Sequence, residues 1–77
     1  MKELIEFIAK SLVEDPHAVS VVEEQADDGT ILIKLAAAQD DMGRIIGKQG
    51  RTAKAMRTLL NAKATRENLR ATLQIVE

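Results

Sequence analysis

Two apolar runs on either side of an Asp-Gly pair determine how the first half of this chain can fold. Residues 19–24 are rich in β-branched side chains, and residues 30–35 alternate between apolar and polar ones. An Asp-Gly pair between two such runs is among the strongest short signals for a β-hairpin. We therefore predict two antiparallel strands joined through residues 26–29. Their buried face would carry Ile31, Ile33 and Leu35.

Helical patterns lie on both sides of this predicted hairpin. Apolar residues recur at helical spacing over residues 2–13. This helix should end near Asp15, because a residue that precedes proline is pushed out of the helical region. Residues 42–46 are predicted to form a short second helix, which Asp40 or Asp41 would cap.

A third helix is predicted over residues 51–64, followed by a connection and by an alternating last strand over residues 69–75. The order of elements is then α-β-β-α-α-β. Three strands with one apolar face, covered by three helices, predict a single two-layer α+β domain over residues 1–77. The inward positions of the third helix would be Ala53, Met56, Leu59 and Leu60.

Charge is distributed unevenly along the chain. Residues 1–41 carry ten acidic and three basic side chains, a net charge of −7, whereas residues 42–66 carry seven basic side chains and no acidic one. The overall net charge of −1 therefore conceals a basic segment that can meet an anion. The basic residues of this segment are Arg44, Lys48, Arg51, Lys54, Arg57, Lys63 and Arg66.

The basic segment also holds three of the four glycines, at Gly43, Gly47 and Gly50. Glycine permits a positive φ angle and lets a ligand approach the backbone, because it has no Cβ atom. Gly47-Lys48-Gln49-Gly50 is therefore predicted to be a tight loop that opens the third helix with free N–H groups, a geometry suited to phosphate. A nucleotide-binding P-loop is excluded, since the spacing from Gly43 to Lys48 is one residue short and Gln49 stands where Ser or Thr would bind magnesium.

The run around this loop closely resembles the GxxG segment of KH RNA-binding domains. The resemblance rests on residues 43–46 before the loop, Gly47-Lys48-Gln49-Gly50 within it and residues 51–60 after it. More narrowly, the chain resembles the small bacterial single-KH proteins of the KhpA type over essentially its whole length. The resemblance implies a type II KH fold with a mixed three-stranded sheet. Within that sheet we expect the strand over residues 30–37 at the edge, beside the basic helices.

KH domains hold about four nucleotides of a single strand, with the GxxG loop against the sugar-phosphate backbone. The resemblance therefore implies phosphate binding at the loop, a positive edge extended by nearby cations, and an apolar groove for bases between the paired helices and the second strand. Candidate walls of this groove are Ile45, Ile46 and residues near Ile33, although at least one of the two adjacent isoleucines should pack in the core. The RNA-binding set so predicted is Arg44, Ile45, Ile46, Gly47, Lys48, Gln49, Gly50, Arg51 and Lys54.

No cofactor, metal or catalytic site is predicted. There is no cysteine, and His17 cannot build a zinc site alone. The adjacent aspartates at positions 27–28 and 40–41 are interpreted as turn and cap residues. No nucleophile has a base placed to activate it, so the chain is not expected to be an enzyme. Without a leader or an apolar span, the expected location is the cytoplasm.

The expected partners come from the KhpA resemblance. It implies single-stranded RNA as ligand, self-association as a homodimer, and a larger partner, KhpB, with a KH domain beside a second nucleic-acid-binding domain. It also implies roles in RNA-level regulation and in cell elongation or division. The rival hypothesis is a protein–protein adaptor that uses the KH surface mainly for dimerisation.

Overall fold

The helices and strands follow the predicted order in the computed structural model, which describes residues 1–76. The helices are α1 (Lys2–Leu12), α2 (Met42–Ile46) and α3 (Arg51–Arg66), and the strands are β1 (Ser20–Gln25), β2 (Ile31–Ala36) and β3 (Ala71–Ile75). Three short 3₁₀ turns lie at Pro16–Ala18, Gln39–Asp41 and Lys48–Gly50. A mixed three-stranded sheet with three helices confirms the predicted α+β fold class.

The sheet has the strand order β1-β2-β3, so β2 is its central strand. β1 pairs antiparallel with β2, and β3 pairs parallel with the other side of β2. The prediction that the second strand lies at the edge is wrong, because the last strand of the chain returns to its open side. The strand that packs against α3 is β3, and β3 is the edge strand on that side of the sheet.

The free edge of β3 presents backbone groups at alternate positions. The N–H of Ile31 donates to the carbonyl of Arg70 at 2.8 Å, and the N–H of Val76 donates to the carbonyl of Leu35 at 2.8 Å. In a parallel ladder every second residue of a strand bonds to the same neighbour, so positions 70, 72, 74 and 76 are directed toward β2. The residues whose backbone groups point to the free edge are Ala71, Leu73 and Ile75.

The hairpin between β1 and β2 forms where the Asp-Gly pair predicted it. The N–H of Ala26 donates to the carbonyl of Thr30 at 2.8 Å, and Gly29 closes the loop with a φ of 89°. The carboxylate of Asp28 accepts the Thr30 N–H at 2.9 Å. This backbone hydrogen bond is the main reason why the pKa of Asp28 lies below its ordinary value. Asp28 therefore acts as a turn residue, as the sequence indicated.

The hydrophobic core lies between the sheet and the helices. β2 contributes its predicted inward face, and each fully buried aliphatic side chain stabilises the fold by about 1.5–3 kcal/mol. The prediction that Leu59 points inward is wrong, because this residue is 50% exposed, whereas Ala64, about one turn after Leu60, is buried. Phe7, the single aromatic residue, lies outside the core with 72% exposure. The large side chains that are fully buried are Ile5, Ile33, Leu35, Ile45, Met56 and Leu60.

The third helix runs two residues further than predicted and ends in a left-handed cap. Asn68 has a φ of 58°, and its N–H donates to the carbonyl of Thr65 at 3.1 Å. The N–H of Leu69 donates to the carbonyl of Ala64 at 2.8 Å. These two bonds form a Schellman motif, which satisfies carbonyls at the helix end and turns the chain toward β3.

Candidate nucleic-acid interface

The loop between α2 and α3 has positive φ angles, which favour glycine. Gly47 has a φ of 78°, Gln49 of 57° and Gly50 of 75°. Two of these three positions are glycine, the residue that adopts a positive φ without steric cost. The predicted tight loop over Gly47-Lys48-Gln49-Gly50 is therefore present, and it leads directly into the first turn of α3.

The two glycines of the loop are required for different reasons. A Cβ atom on Gly47 would lie 2.2 Å from the hydroxyl oxygen of Thr52, in the first turn of α3. A Cβ on Gly50 would meet nothing within 4 Å. The close approach of Thr52 thus excludes a side chain at Gly47, whereas only the positive φ disfavours one at Gly50.

Two backbone N–H groups of the loop have no acceptor within residues 1–76. The N–H of Gly47 donates to the carbonyl of Gly43 at 2.8 Å, and that of Gly50 donates to the carbonyl of Gly47 at 3.1 Å. The N–H groups of Lys48 and Gln49 make no such bond in this part of the chain, and both residues are exposed. Successive free N–H groups in a tight turn form a concavity that binds anions.

The side chains around these N–H groups are cationic. Lys48 lies in the loop, Arg51 is the first residue of α3, and Lys54 lies one turn further on. All three are exposed, and no carboxylate of residues 1–76 lies within 4.0 Å of their charged groups. The guanidinium of Arg51 donates to the side-chain oxygen of Gln49 at 3.3 Å, which joins the loop to the helix. The structure therefore brings six predicted site residues together, namely Gly47, Lys48, Gln49, Gly50, Arg51 and Lys54.

Arg44 does not join this group, although it belongs to the predicted set. Its guanidinium donates to the carboxylate of Glu14 at 2.7 Å and to that of Asp41 at 3.1 Å. Two carboxylates therefore offset its positive charge in this structure, and its contribution to the positive edge stays a prediction.

The carboxylate of Asp41 joins the end of α1 to α2 through hydrogen bonds. Its side chain is almost fully buried, and it accepts the backbone N–H groups of Glu14 at 3.1 Å and Asp15 at 3.2 Å in addition to Arg44. The Glu14 hydrogen bond is the main cause of a pKa below the ordinary aspartate value, while burial acts in the opposite direction. Asp41 occupies the cap position of α2 but makes no capping hydrogen bond, so its carboxylate ties the end of α1 to α2 instead.

The two isoleucines before the loop have different environments. Ile45 is fully buried in the core, as is Ile33 of β2, so neither side chain can contact a nucleobase. The prediction of Ile45 as a groove wall is therefore wrong. The expectation that one of the adjacent pair packs in the core is confirmed, because Ile45 is buried while Ile46 is half-buried.

Sequence reasoning missed three residues that shape the interface. Thr52 approaches Gly47 so closely that position 47 requires glycine, and Glu14 and Asp41 offset the charge of Arg44. Asp41 carried one usable signal, since an acid three residues before an arginine can form a local ion pair. Glu14 carried none, because it lies 30 positions from Arg44 in the sequence.

Comparison with known proteins identifies the family of this fold and loop. A family model described as the KH domain of KhpA/KhpB matches residues 2–75. The chain belongs to the KhpA/KhpB KH-domain family.

Curated members of the family match the chain over its whole length. It is 49% identical over 76 residues to the RNA-binding protein KhpA of Clostridium acetobutylicum, covering 99% of this chain and 100% of that one. Identity to the RNA-binding protein KhpA of Halalkalibacterium halodurans is 50% over 78 residues, covering 100% of both chains. Identity to the Chlamydia trachomatis protein of the same name is 47% over 77 residues, covering 100% of this chain and 97% of that one.

Solved structures of Era share the fold. The chain matches Era in complex with MgGDPNP and nucleotides 1506–1542 of 16S ribosomal RNA with a TM-score of 0.62 and 19% identity, over 96% of this chain and 28% of that one. It matches Aquifex aeolicus Era bound to GDP and AlF4⁻ with a TM-score of 0.59 and 19% identity, over 97% of this chain and 30% of that one. The chain thus spans less than a third of Era, and the match supports the KH fold alone.

The described part of the chain lacks two other kinds of feature. None of the helices within residues 1–76 is long and apolar enough to cross a bilayer. The same residues contain no group of three His, Cys, Asp or Glu side chains placed to hold a metal ion.

Proposed function

We propose that this protein is a single KH unit over residues 1–77 that binds short single-stranded RNA and catalyses no reaction. One observation carries the proposal: the free N–H groups of Lys48 and Gln49 lie beside cations that no nearby carboxylate offsets. The family supports it, since relatives with about half of their residues identical are named RNA-binding proteins.

The sugar-phosphate chain would cross the loop. A phosphate over Gly47 and Gly50 would accept the two free N–H groups, because no Cβ atom keeps it away. The ammonium of Lys48 and the guanidinium of Arg51 would offset its charge, and Lys54 would meet the next phosphate. Gln49 would be held in place by its bond from Arg51, which leaves its amide group available to the ligand.

The bases would lie toward the edge strand that packs against α3. β3 occupies this position, so the groove assigned at first to the second strand is transferred to β3. Its free edge offers the backbone donors and acceptors of Ala71, Leu73 and Ile75, which can read base edges. The half-buried Ile46 is the candidate for an apolar wall. No aromatic platform for stacking is needed in such a groove.

The expected affinity is modest. Lys48, Arg51 and Lys54 can neutralise about three phosphates, so log K should fall with log salt at a slope of about −2, since each contact on a single strand contributes about −0.7. A single unit of this size should bind weakly and with little sequence selectivity. Two linked or paired units would bind more tightly, because the second contact becomes intramolecular.

The wider biological role follows from the KhpA resemblance. It predicts a cytoplasmic protein that forms a homodimer, pairs with a larger KhpB partner and acts in RNA-level regulation, including that of cell elongation or division.

A protein–protein adaptor is the second candidate function. It is favoured by two large apolar side chains on the helices, since Phe7 is 72% exposed and Leu59 is 50% exposed. Burial of either side chain against a partner would stabilise the complex. In this case the KH surface would serve dimerisation or a partner protein, and RNA would be secondary.

The test compares RNA binding of the wild type and of the double variant Lys48→Asp with Gln49→Asp. A labelled single-stranded RNA is titrated at two salt concentrations while the mass of the protein is followed in parallel. The matched control is Lys10→Asp with Gln25→Asp, which changes the charge by the same amount at exposed positions of α1 and β1. RNA binding should be lost in the loop variant and kept in the control, with both folded. Unchanged RNA binding together with an altered oligomeric mass would instead favour the adaptor.

A further inference from the structure

A cavity of about 340 Å³ lies where α3 ends and β3 begins, remote from the loop that starts α3. Its volume falls within the range of about 300–1,000 Å³ that is typical of small-ligand sites. We call it the β3 cavity. The polar side chains of its lining are those of Thr30, Asn61, Thr65, Arg70 and Thr72.

Most of these polar groups are available to a ligand. The residues Asn61, Thr65 and Thr72 are exposed, and none of the side-chain hydrogen bonds formed within residues 1–76 involves their side chains. Arg70 is also exposed, and in the same part of the chain no carboxylate lies within 4.0 Å of its guanidinium. The β3 cavity therefore has hydrogen-bonding capacity that the fold itself does not use.

One acid acts on Arg70 from a greater distance. The pKa of Asp28 lies below its ordinary value mainly because of the Thr30 N–H, and the positive charge of Arg70 lowers it further. Because this carboxylate forms no ion pair with Arg70, the guanidinium can still donate all of its hydrogen bonds to a ligand.

The lining of the β3 cavity is rich in hydrogen-bond donors. Arg70 carries five N–H donors and no acceptor, Asn61 carries two donors and one acceptor, and no carboxylate lines the cavity. A matching ligand must therefore present acceptors. Among the bases, guanine offers O6 and N7 to the fork of an arginine, whereas adenine has an amino group in place of O6. Leu69 and Ala71 add an apolar surface against which the face of a base can lie.

A continuous side of α3 leads from the loop to the β3 cavity. Lys54, Arg57, Asn61 and Thr65 follow one another at intervals of three or four residues, so they are neighbours along one side of the helix. From Lys54 to Thr65 the helix rises by about 17 Å, at 1.5 Å per residue. Stacked nucleotides are about 3.4 Å apart on one strand, so about five of them span this distance. A strand whose phosphates cross the loop can therefore place a base in the cavity.

The β3 cavity is separate from the exposed apolar side of α3. Asn61 follows Leu59 by two residues, which is a rotation of about 200° at 3.6 residues per turn. Asn61 shares the cavity with Ala71 and Thr72 of β3, so this side of the helix faces the edge strand and Leu59 lies nearly opposite. An association of the protein through Leu59 would leave the cavity open.

We propose that the β3 cavity binds one guanine base of the RNA strand held at the loop, with the guanidinium of Arg70 donating to O6 and N7 and the amide of Asn61 beside it. This inference rests on the proposed RNA-binding function and adds a preference for one base to it. The base belongs to a nucleotide at the end of the bound stretch that is remote from the loop. Single-stranded RNA can supply it, because an unpaired base leaves its edges open to side chains.

The test compares hexanucleotides that differ in one base. Hexauridine is the reference, and the others carry one guanosine at either end, so that both strand directions are sampled. Further hexanucleotides carry adenosine, inosine or 7-deazaguanosine at these ends. Inosine keeps O6 and N7 and lacks the N2 amino group, whereas 7-deazaguanosine lacks the N7 acceptor. Dissociation constants are measured for the wild type, Arg70→Lys and Asn61→Ala, with Arg66→Lys as the matched control at an exposed arginine outside the cavity lining.

The wild type should bind one of the two guanosine hexanucleotides about fivefold more tightly than hexauridine, or better, since a bidentate contact to a base discriminates by at least about this factor. Arg70→Lys keeps the charge but loses the planar fork, so it should remove most of the preference without changing the affinity for hexauridine. Asn61→Ala should reduce the preference in part, and Arg66→Lys should keep it. Inosine should act like guanosine, and 7-deazaguanosine should lose most of the gain.

Loss of the base preference and loss of RNA binding are separate outcomes. If the wild type binds all hexanucleotides equally, or if Arg70→Lys keeps the guanosine preference, the β3 cavity is refuted as a guanine site while loop binding stands. A larger gain from adenosine than from guanosine at the same end would refute it too, because that result would assign base reading to Asn61 alone. If no hexanucleotide binds the wild type at about 50 mM salt, the proposed function itself is refuted.

Discussion

The guanidinium of Arg44 lies 3.1 Å from the carboxylate of Asp41, and this contact separates Arg44 from the other cations of the basic segment. Asp41 is buried and also accepts two backbone N–H groups from the end of α1. Arg44 therefore stabilises the approach to the loop, whereas Arg51, at the other side of the loop, is available to a ligand. Two arginines seven residues apart thus have different surroundings.

Neutralising Arg51 should change the salt dependence of RNA binding, whereas neutralising Arg44 should change the stability of the fold. Arg51→Gln should make the slope of log K against log salt for RNA binding shallower by about 0.7 and leave thermal stability nearly unchanged. Arg44→Gln should lower the melting temperature, because Asp41 loses its charged partner, and should keep the salt slope of the wild type. Calorimetry and RNA titration at several salt concentrations measure both quantities. A shallower slope in Arg44→Gln would mean that Arg44 leaves its carboxylates to contact RNA.

The glycines at positions 43 and 47 should respond oppositely to alanine. At Gly47 a Cβ would collide with Thr52 and the φ angle is 78°, so Gly47→Ala should destabilise the protein by about 1–3 kcal/mol and abolish RNA binding. Gly43 lies within α2, and a Cβ there meets nothing within 4 Å. Gly43→Ala should stabilise by about 0.4–1 kcal/mol and retain RNA binding. Equal stability of the two variants would contradict the close approach of Thr52.

Acid should remove the contribution of Asp41 to stability. The pKa of Asp41 is lowered in the folded state, mainly by the Glu14 N–H, so its stabilising effect is fully present above the unfolded value of about 3.9 and disappears as the pH falls through the folded pKa. Asp41→Asn should therefore melt below the wild type at pH 7, and the difference should narrow below pH of about 4. Asp28→Asn, in the exposed hairpin loop, is the control and should show a smaller difference at pH 7. A constant difference for Asp41→Asn from pH 7 to pH 3 would contradict this assignment.

The cap at the end of α3 should depend on Asn68. Its φ of 58° is unfavourable for most side chains, and the left-handed conformation costs about 1–2 kcal/mol for an ordinary residue. Asn68→Ala should lower the melting temperature by about 4–8 °C, which corresponds to about 1 kcal/mol in a domain of this size. Asn68→Gly should raise it, since glycine adopts this conformation freely. Thermal unfolding followed by circular dichroism decides between these outcomes, and a lower melting temperature for Asn68→Gly would contradict the motif.

Local sequence patterns were sufficient to predict most of the helices and strands. The bounds of α2 agree with the prediction, and the hairpin forms at Asp28-Gly29, because turn chemistry and periodicity act over a few residues. The tight loop from Gly47 to Gly50 was likewise predictable, since its glycines are adjacent to the helix that they start.

Contacts between residues far apart in the sequence determine the strand order and the buried side of each helix, and neither could be predicted from the sequence. The central position of β2 depends on pairing Ile31 with Ala71, which lies 40 positions away. The burial of Ile45 and the exposure of Leu59 depend on which side of each helix the sheet covers, and adjacent apolar residues do not reveal that side. The groove was assigned to the second strand for the same reason, because that strand was expected at the edge of the sheet.

The pairing of β2 with β3 also determines when a chain still being synthesised can fold. Gln25 and Ile31 pair within the hairpin and are six positions apart, whereas β2 obtains its second neighbour only when residues 71–75 have been made. At about 5–20 residues per second, a ribosome needs about 2–8 s to extend the chain from β2 to the end of β3. A chain that ends before these residues leaves one side of β2 with unpaired backbone groups, so a shortened or incompletely folded chain can pair with other chains or be bound by a chaperone.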